Sequence, residues 1–365
     1  MEAKPESLRH GIIGAGGIVY GAHSVAFDLP TTQVVGLCDI REEPARERAA
    51  GLGVPFYADY NAMAAEVKPD VAVIITPHYC HAKIAIACLE AGCHVLVEKP
   101  MALEVAEADA MVAAARETGR TLAVVFQNRH RPEVRAARRL ISEGRLGKIQ
   151  RLNMITSWPR TARYYGMATW RATWWGEGGG VLMNQSPHDL DLVCHLMGSP
   201  SSLLARVRTR LHHIPVEDTA NALIEWPGGA IGHIHMSTAE GASTENIEII
   251  GTGGTLRIRP GALDYQQFEQ DAGEYLLTTD EIWHGPALNP VEVALEDGKG
   301  DHTAVYRDLH AAILEGRSPA CDGAEGRMSL ELANAIIYAS YTGSQVAFPV
   351  DRVAYGEFLA EKKRS

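Results

Sequence analysis

Apolar residues in the first third of the chain come in short unbroken runs. Each run is followed by a stretch in which apolar residues recur every three or four positions. The runs are residues 9–13, 33–38, 70–76, 94–97 and 121–126. Runs of this length, bounded by glycine, proline or charge, predict buried strands. Residues 79–91 and 104–118 have helical spacing, and a helical pattern follows the first run through Phe27. Strands alternating with helices predict a parallel sheet with right-handed crossovers, an α/β domain over residues 1–127. After Arg129 the rhythm changes. Pro132 opens a helix through Glu143, and residues 149–157 read as a long strand. Further runs at 203–211, 218–226, 230–238, 246–251 and 255–258 are separated by turns such as Pro227-Gly228-Gly229. That pattern predicts an antiparallel meander. Residues 128–365 are expected to form an α+β domain on a large, open, mostly antiparallel sheet, with C-terminal helices able to pack back on the first domain. The apolar face of an open sheet needs cover. A second copy of the chain would supply it, so a dimer or tetramer is expected.

In open parallel sheets, ligands bind outside the carboxyl ends of the strands, and those ends carry the candidate chemistry. The first strand runs into Gly14-Ala15-Gly16-Gly17-Ile18-Val19. Such glycines let the backbone turn tightly against a pyrophosphate, beside the partial positive charge of a helix N-terminus. Val19 stands where Gly or Ala is usual, which sets the helix farther from its strand. Asp39 ends the second strand, where a carboxylate binds both ribose hydroxyls of NAD and repels the 2′-phosphate of NADP. Arg41 lies close enough to soften that preference. Thr76, Pro77 and His78 follow the third strand, with His81 at the start of the next helix, and Gln127 follows the fifth. Histidines in such places usually serve the fold. Gathered at one end of a sheet, they line a cofactor cleft. Between these strands, residues 94–97 stop at Glu98-Lys99-Pro100. Proline holds the residue before it extended, so Lys99 is fixed at a strand end, where an amine can handle a proton.

Between the first two strands of the second half lies a dense aromatic and basic block. Trp158, Trp170, Trp174 and Trp175, four of the six tryptophans, are interleaved with Arg160, Arg163, Arg171, Tyr164 and Tyr165. Aromatic faces suit the C–H faces of sugars and arginines supply contacts to hydroxyls, though the same residues also pack cores and subunit interfaces. Trp158, Arg160, Tyr164 and Arg171 are candidates for sugar contacts, and Trp170 and Arg171 for the nicotinamide end of the cofactor. Gly178-Gly179-Gly180 then leads to Asn184 and to a helix opened by Pro187, with His188 near its start. An imidazole there can accept a proton at neutral pH.

Composition narrows the partners. The formal net charge of −11 argues against nucleic acid, whose phosphates need a basic face. Residues 1–10 hold no apolar segment, and no run is long enough to cross a bilayer. Six cysteines at 38, 80, 88, 93, 194 and 321 form no C-x-x-C pair and no zinc spacing. Reduced thiols in a cytoplasmic protein, with no metal, are expected.

Gly14-Ala15-Gly16-Gly17, Asp39, Thr76-Pro77, Glu98-Lys99-Pro100 and Gly178-Gly179-Gly180 followed by His188 and Asp191 occur in this order. Together they resemble the glucose–fructose oxidoreductase / inositol dehydrogenase / rhizopine catabolism (Gfo/Idh/MocA) family over most of the chain, least from 261 to 300. The resemblance implies a Rossmann domain, a C-terminal open-sheet domain carrying oligomer contacts, and hydride transfer between a nicotinamide and a carbon of a sugar or cyclitol. It gives Lys99 and His188 the family's catalytic positions. Asn184 stands where inositol dehydrogenases carry an aspartate, which weakens an inositol assignment. Two other readings remain open: a glycoside-cleaving enzyme that retains its NAD without net redox, and a non-catalytic NAD-binding sensor. A sensor has no use for Lys99 and His188 together.

Overall fold

The structure, a computed structural model, describes residues 7–17 and 19–364. The first sheet contains β1 (Leu8–Ile13), β2 (Thr32–Cys38), β3 (Phe56–Tyr57), β4 (Val71–Ile74), β5 (His94–Val97) and β6 (Leu122–Val124). Its order is β3-β2-β1-β4-β5-β6 and every pairing is parallel. All four residues of β4 are buried because helices cover both faces, which is why parallel strands read as unbroken apolar runs. Helices α1 (Tyr20–Ser24), α2 (Glu42–Leu52), α3 (Tyr60–Val67), α4 (His81–Glu90) and α5 (Val105–Thr118) make the crossovers. The chain winds outward in both directions from β1 and β4, which opens a crevice at their carboxyl ends.

One expected element is shorter than its pattern. The helix after the glycine turn ends at Ser24 rather than Phe27. Ala26, Phe27 and Leu29 instead donate to the carbonyls three residues back, at His23, Ser24 and Ala26. Apolar spacing of three to four residues fits such tight turns as well as it fits an α-helix.

The second sheet has nine strands: β7 (Ile149–Ser157), β8 (Ser202–Arg208), β9 (Thr219–Glu225), β10 (Ile231–Ser237), β11 (Thr244–Gly251), β12 (Gly254–Arg259), β13 (Ala262–Phe268), β14 (Leu288–Val291) and β15 (Val346–Ala347). The order β14-β13-β12-β11-β7-β10-β9-β8-β15 corrects the meander in one place. Strand β7 is inserted between β10 and β11 and runs parallel to β10. Its buried Leu152, Met154 and Thr156 suit a central position, which tight-turn counting does not reveal.

Helices α6 (Pro132–Ser142), α7 (Ala162–Tyr165), α8 (Val181–Asn184), α9 (Pro187–Met197), α10 (Ala272–Thr278), α11 (His302–Glu315), α12 (Gly323–Thr342) and α13 (Arg352–Lys362) complete the chain. One face of the second sheet packs on α12, and α12 in turn on α9. The other face leaves Leu204, Leu223 and Ile231 exposed, with Leu204 directly opposite Leu223.

The two halves are joined by side chains that the sequence patterns do not flag. Val305, Tyr306 and Leu309 of α11 share a core with Ile12, Val71 and Val73. Asn334 of α12 accepts from the Val105 amide and donates to the Leu103 carbonyl. Within the second half, Arg129 makes a buried two-pronged pair with Asp191 at 2.8 and 2.7 Å. Among the described residues, no helix is long and apolar enough to cross a membrane.

Candidate active site

The glycine turn sits where β1 ends. Gly14 has φ +100°, and a Cβ there would lie 2.6 Å from the Ile75 carbonyl carbon, so the backbones of β1 and β4 close up only around glycine. Asp39 is buried against this turn. Its Oδ2 accepts the Gly16 amide at 2.5 Å and its Oδ1 the Arg41 amide at 2.7 Å. The Arg41 guanidinium is exposed, its Nε 3.9 Å from Asp39. A Cβ at Gly17 would meet only ordinary contacts, 3.8 Å from the Gly14 carbonyl oxygen, and Val19 is exposed rather than wedged between helix and strand. Ile18, also a candidate, lies outside the described residues. Arg48 was not foreseen. From α2 it donates to the Ala15 carbonyl, and to that of Gly17 at 3.2 Å, while lying over the Tyr20 ring. No spacing rule points to an arginine on the following helix.

The other strand ends hold polar atoms without partners. Thr76 Oγ1, His78 Nδ1, Gln127 Oε1 and His188 Nδ1 are buried and make no hydrogen bond among the described residues. Buried polar groups are nearly always satisfied, so a row of orphans at the carboxyl ends of β4 and β6 and the start of α9 fits a dinucleotide and a hydroxylated substrate. His78 also meets the Trp170 ring edge-on at 5.1 Å. His81 differs from its neighbours. Both its ring nitrogens contact carbonyls, of Pro100 and Thr76, each at 2.8 Å, so it ties the backbone of two strand ends together.

Lys99 reaches across to the second domain, where its Nζ donates to the Asn184 carbonyl at 2.8 Å. Burial lowers its pKa, and the carboxylates of Glu98 and Glu177 pull it back up. His188 starts one helical turn beyond Asn184. Burial first, and the Lys99 charge second, push its pKa down to about 3. It is therefore neutral at physiological pH, and its Nδ1 makes no hydrogen bond among the described residues. Phe126, at the end of β6, faces its ring edge-on at 6.1 Å.

The aromatic block frames the same place. The Tyr164 hydroxyl donates to Asn184 Oδ1 at 3.0 Å and accepts from Arg171 at 2.7 Å and Gln185 at 2.8 Å. Arg171 lies between the rings of Tyr164 and Trp170, and Arg160 also lies over Tyr164. Trp158 is half-buried, its amide donating to the Ser237 carbonyl at 2.9 Å. Trp174 is core, packed on Tyr341 and Phe358, and Trp175 meets Tyr79 at 5.4 Å. The block thus divides between packing and the cleft.

Two acids next to the glycine run were missed. Glu177 accepts from Asn184 Nδ2 and, at 2.6 Å, from the Ala172 amide. Burial pushes its pKa up to about 7 against the pull of these bonds and of Arg171. Glu217 accepts the Gly180 and Leu182 amides at 2.8 and 3.1 Å and is likewise raised by burial to about 7. A Cβ on Gly180 would lie 1.9 Å from the Glu217 carbonyl oxygen, which explains the last of the three glycines. An acid directly before a glycine run was a visible signal for Glu177. Glu217 had none.

A dinucleotide turn, a lysine and a neutral histidine meeting at the crevice, and a polar aromatic wall define an oxidoreductase that uses a nicotinamide dinucleotide. Residues 8–126 match the GFO_IDH_MocA family, described as "Oxidoreductase family, NAD-binding Rossmann fold", and residues 134–257 match the GFO/IDH/MocA C-terminal domain. The chain belongs to this family and is an NAD-dependent oxidoreductase. It is 30% identical to trans-1,2-dihydrobenzene-1,2-diol dehydrogenase of Mus musculus over 69% of this chain and 75% of that one. It is 27% identical to levoglucosan dehydrogenase of Pseudarthrobacter phenanthrenivorans over 94% of this chain and 99% of that one. The WlbA dehydrogenase of Bordetella pertussis, solved in complex with NADH and UDP-GlcNAcA, superposes with a TM-score of 0.82 at 28% identity, covering 96% of this chain and all of that one.

Proposed function

We propose that this chain oxidises a secondary hydroxyl on the ring of a sugar, glycoside or cyclitol, or reduces the matching ketone, with Lys99 and His188 as the catalytic residues. The observation that carries the reading is the Lys99 ammonium held on the Asn184 carbonyl, one helical turn before a histidine that is neutral and has a free ring nitrogen. Gly14, Gly16 and Gly17 would hold the pyrophosphate, and Asp39 would hold the adenosine ribose. Thr76, His78, Gln127 and Trp170 line the path toward Lys99. A nicotinamide held by these residues would supply the hydride-accepting and hydride-donating chemistry. His188 takes the hydroxyl proton, and Lys99 holds the same oxygen and balances the negative charge that grows on it. Arg171, Tyr164 and Asn184 form a fixed row of polar groups for neighbouring hydroxyls, with Trp158 and Arg160 beside it. The names of the relatives, a ring diol dehydrogenase and a levoglucosan dehydrogenase, support a ring alcohol as substrate.

The test is a panel of free aldoses, methyl glycosides, anhydrosugars, sugar acids and cyclitols with added NAD, followed by absorbance of the reduced nicotinamide. Stoichiometric reduction with at least one of them is expected. Cleavage of a glycoside with tightly held NAD and no net reduction would replace this reading with the retained-cofactor one.

The exposed Leu204 and Leu223 pair and Ile231 support a second copy of the chain on the open face of the sheet. Six free cysteines, five of them buried, support a reducing cytoplasmic setting.

A further inference from the structure

Beside Lys99, side chains from three distant stretches meet on one carboxylate. Glu98 follows β5. Its Oε1 lies 3.0 Å from His23 Nε2 of α1 and 3.3 Å from His302 Nε2, the first residue of α11. Its Oε2 accepts the Lys99 amide at 3.0 Å. Behind His23, the Tyr306 hydroxyl lies 3.0 Å from Nδ1. If that hydroxyl donates, the His23 proton sits on Nε2 and points at Glu98, and both His23 ring nitrogens are satisfied. These separations are hydrogen-bond lengths, so no ion is needed to hold the three side chains together. The other charged or titratable groups facing Glu98 are Lys99 on its own strand end, His78 and His81 after β4, His188 on α9 and Tyr306 on α11.

We propose that His302, with His23 behind it, is a positioning residue of the hydride-transfer site. The two imidazoles hold Glu98 as an anion, and that anion keeps the neighbouring Lys99 amine charged and set toward the substrate oxygen. The proposal rests on the dehydrogenase reading above. Its physical ground is the cost of burial. A carboxylate this enclosed would ordinarily be driven to its neutral form. Here the donated bonds from His23 and His302 and the Lys99 charge overcome burial and hold it well below the usual carboxylate range. Glu98 in turn is the largest influence opposing the burial that lowers Lys99. The C-terminal helix α11 thereby reaches the reacting centre, although it belongs to neither segment matched to the family. His302 is less buried than His23, and α11 is anchored independently by Tyr306 and Leu309, so replacing His302 spares the fold.

The test uses the full-length chain with His302→Ala and His302→Gln, whose amide N–H can stand in for the imidazole Nε2–H. Without the donor, the Glu98 carboxyl titrates higher and its carboxylate is free to turn away from the lysine side chain, so the Lys99 ammonium loses part of its counter-charge and gives up its proton at lower pH. For ketone reduction, which needs that ammonium, the alkaline limb of the kcat profile should move down by about one pH unit in His302→Ala. kcat at neutral pH should fall by roughly 10- to 100-fold while KM for the dinucleotide changes less than about threefold, and His302→Gln should recover most of the loss. A second measurement does not need turnover. In chain labelled with 13C at the glutamate carboxyl carbon, the Glu98 resonance, assigned with Glu98→Gln, should show no titration above about pH 5 in the parent and a midpoint at least about one unit higher in His302→Ala. An unmoved Glu98 midpoint, an unchanged pH profile, or equal damage in the Ala and Gln variants would overturn the proposal. If the parent reduces NAD with no polyol, the dehydrogenase reading fails, and the carboxyl titration still decides whether His302 holds the anion.

Discussion

Asp39 does two jobs with one carboxylate. In the structure it ties the glycine turn to the end of β2 through the Gly16 and Arg41 amides. The ribose of a bound NAD would compete for the same oxygens. Charge-assisted hydrogen bonds of this kind are worth roughly 1.5–3 kcal/mol each. Asp39→Ser should therefore weaken NAD binding by about 10- to 100-fold. It should also narrow the preference over NADP, because the repelling charge goes while the exposed Arg41 stays. Fluorescence titration with NADH and NADPH measures both, and an unchanged ratio of the two affinities would remove Asp39 from cofactor choice. At this scale the sequence singles out residues where chemistry dictates a residue type, and Gly14, Asp39, Lys99 and His188 are its candidates on that ground. It was least legible where a residue works through a fold contact. Arg48, Glu217, His23 and His302 have no local spacing that sets them apart from surface arginines, acids and histidines. His81 shows the reverse: a suggestive position, but a side chain occupied by two backbone carbonyls.

Helix α11 is the element whose role was hidden. Its sequence reads as an ordinary amphipathic helix, yet His302, Tyr306 and His310 recur at four-residue intervals and all face the first domain. His310 Nε2 lies 3.0 Å from His10 Nε2 in β1, and its Nδ1 lies 2.7 Å from the Thr31 hydroxyl. Burial lowers both imidazoles, His10 to about 4 and His310, with His10 adding to the effect, to about 3. Two protons cannot be held across that contact. In the unfolded chain these histidines take up protons near pH 6.5, so the unfolded state binds more protons than the folded one below that value. The stability they allow is complete above about pH 6.5 and is lost as pH falls toward about 4 and 3. Glu177 and Glu217, raised to about 7, act in the opposite sense as pH rises, so the comparison is best made between variants. His310→Gln should flatten the dependence of Tm on pH between about 6.5 and 4, and at pH 5 should recover on the order of 2 kcal/mol relative to its effect at pH 7.5. Thermal unfolding at a series of pH values checks this, and parallel curves for parent and variant would contradict it.

At the scale of the whole molecule, the α/β rhythm of the first domain could be read almost strand by strand, because parallel strands covered on both faces must be apolar throughout. The second sheet was legible as a set of strands but not as a topology. β7 pairs in parallel with β10 after a long excursion through the aromatic block, and the two edges are the short strands β14 and β15, of four and two residues. The wide sheet leaves Leu204 and Leu223 side by side on its open face. Sedimentation velocity at micromolar concentration should show a dimer or larger species, and Leu223→Glu should dissociate it. A monomeric parent chain would contradict the assembly. The central claim is that an amine from the first domain and an imidazole from the second act on one hydroxyl. Stopped-flow reduction of bound NAD by the best substrate of the panel, in the parent, Lys99→Ala and His188→Ala chains, tests it most directly. The account predicts a fall of about 100-fold or more in the hydride-transfer rate in each variant, with NADH affinity within a few-fold of the parent. A rate near that of the parent in either variant would contradict it.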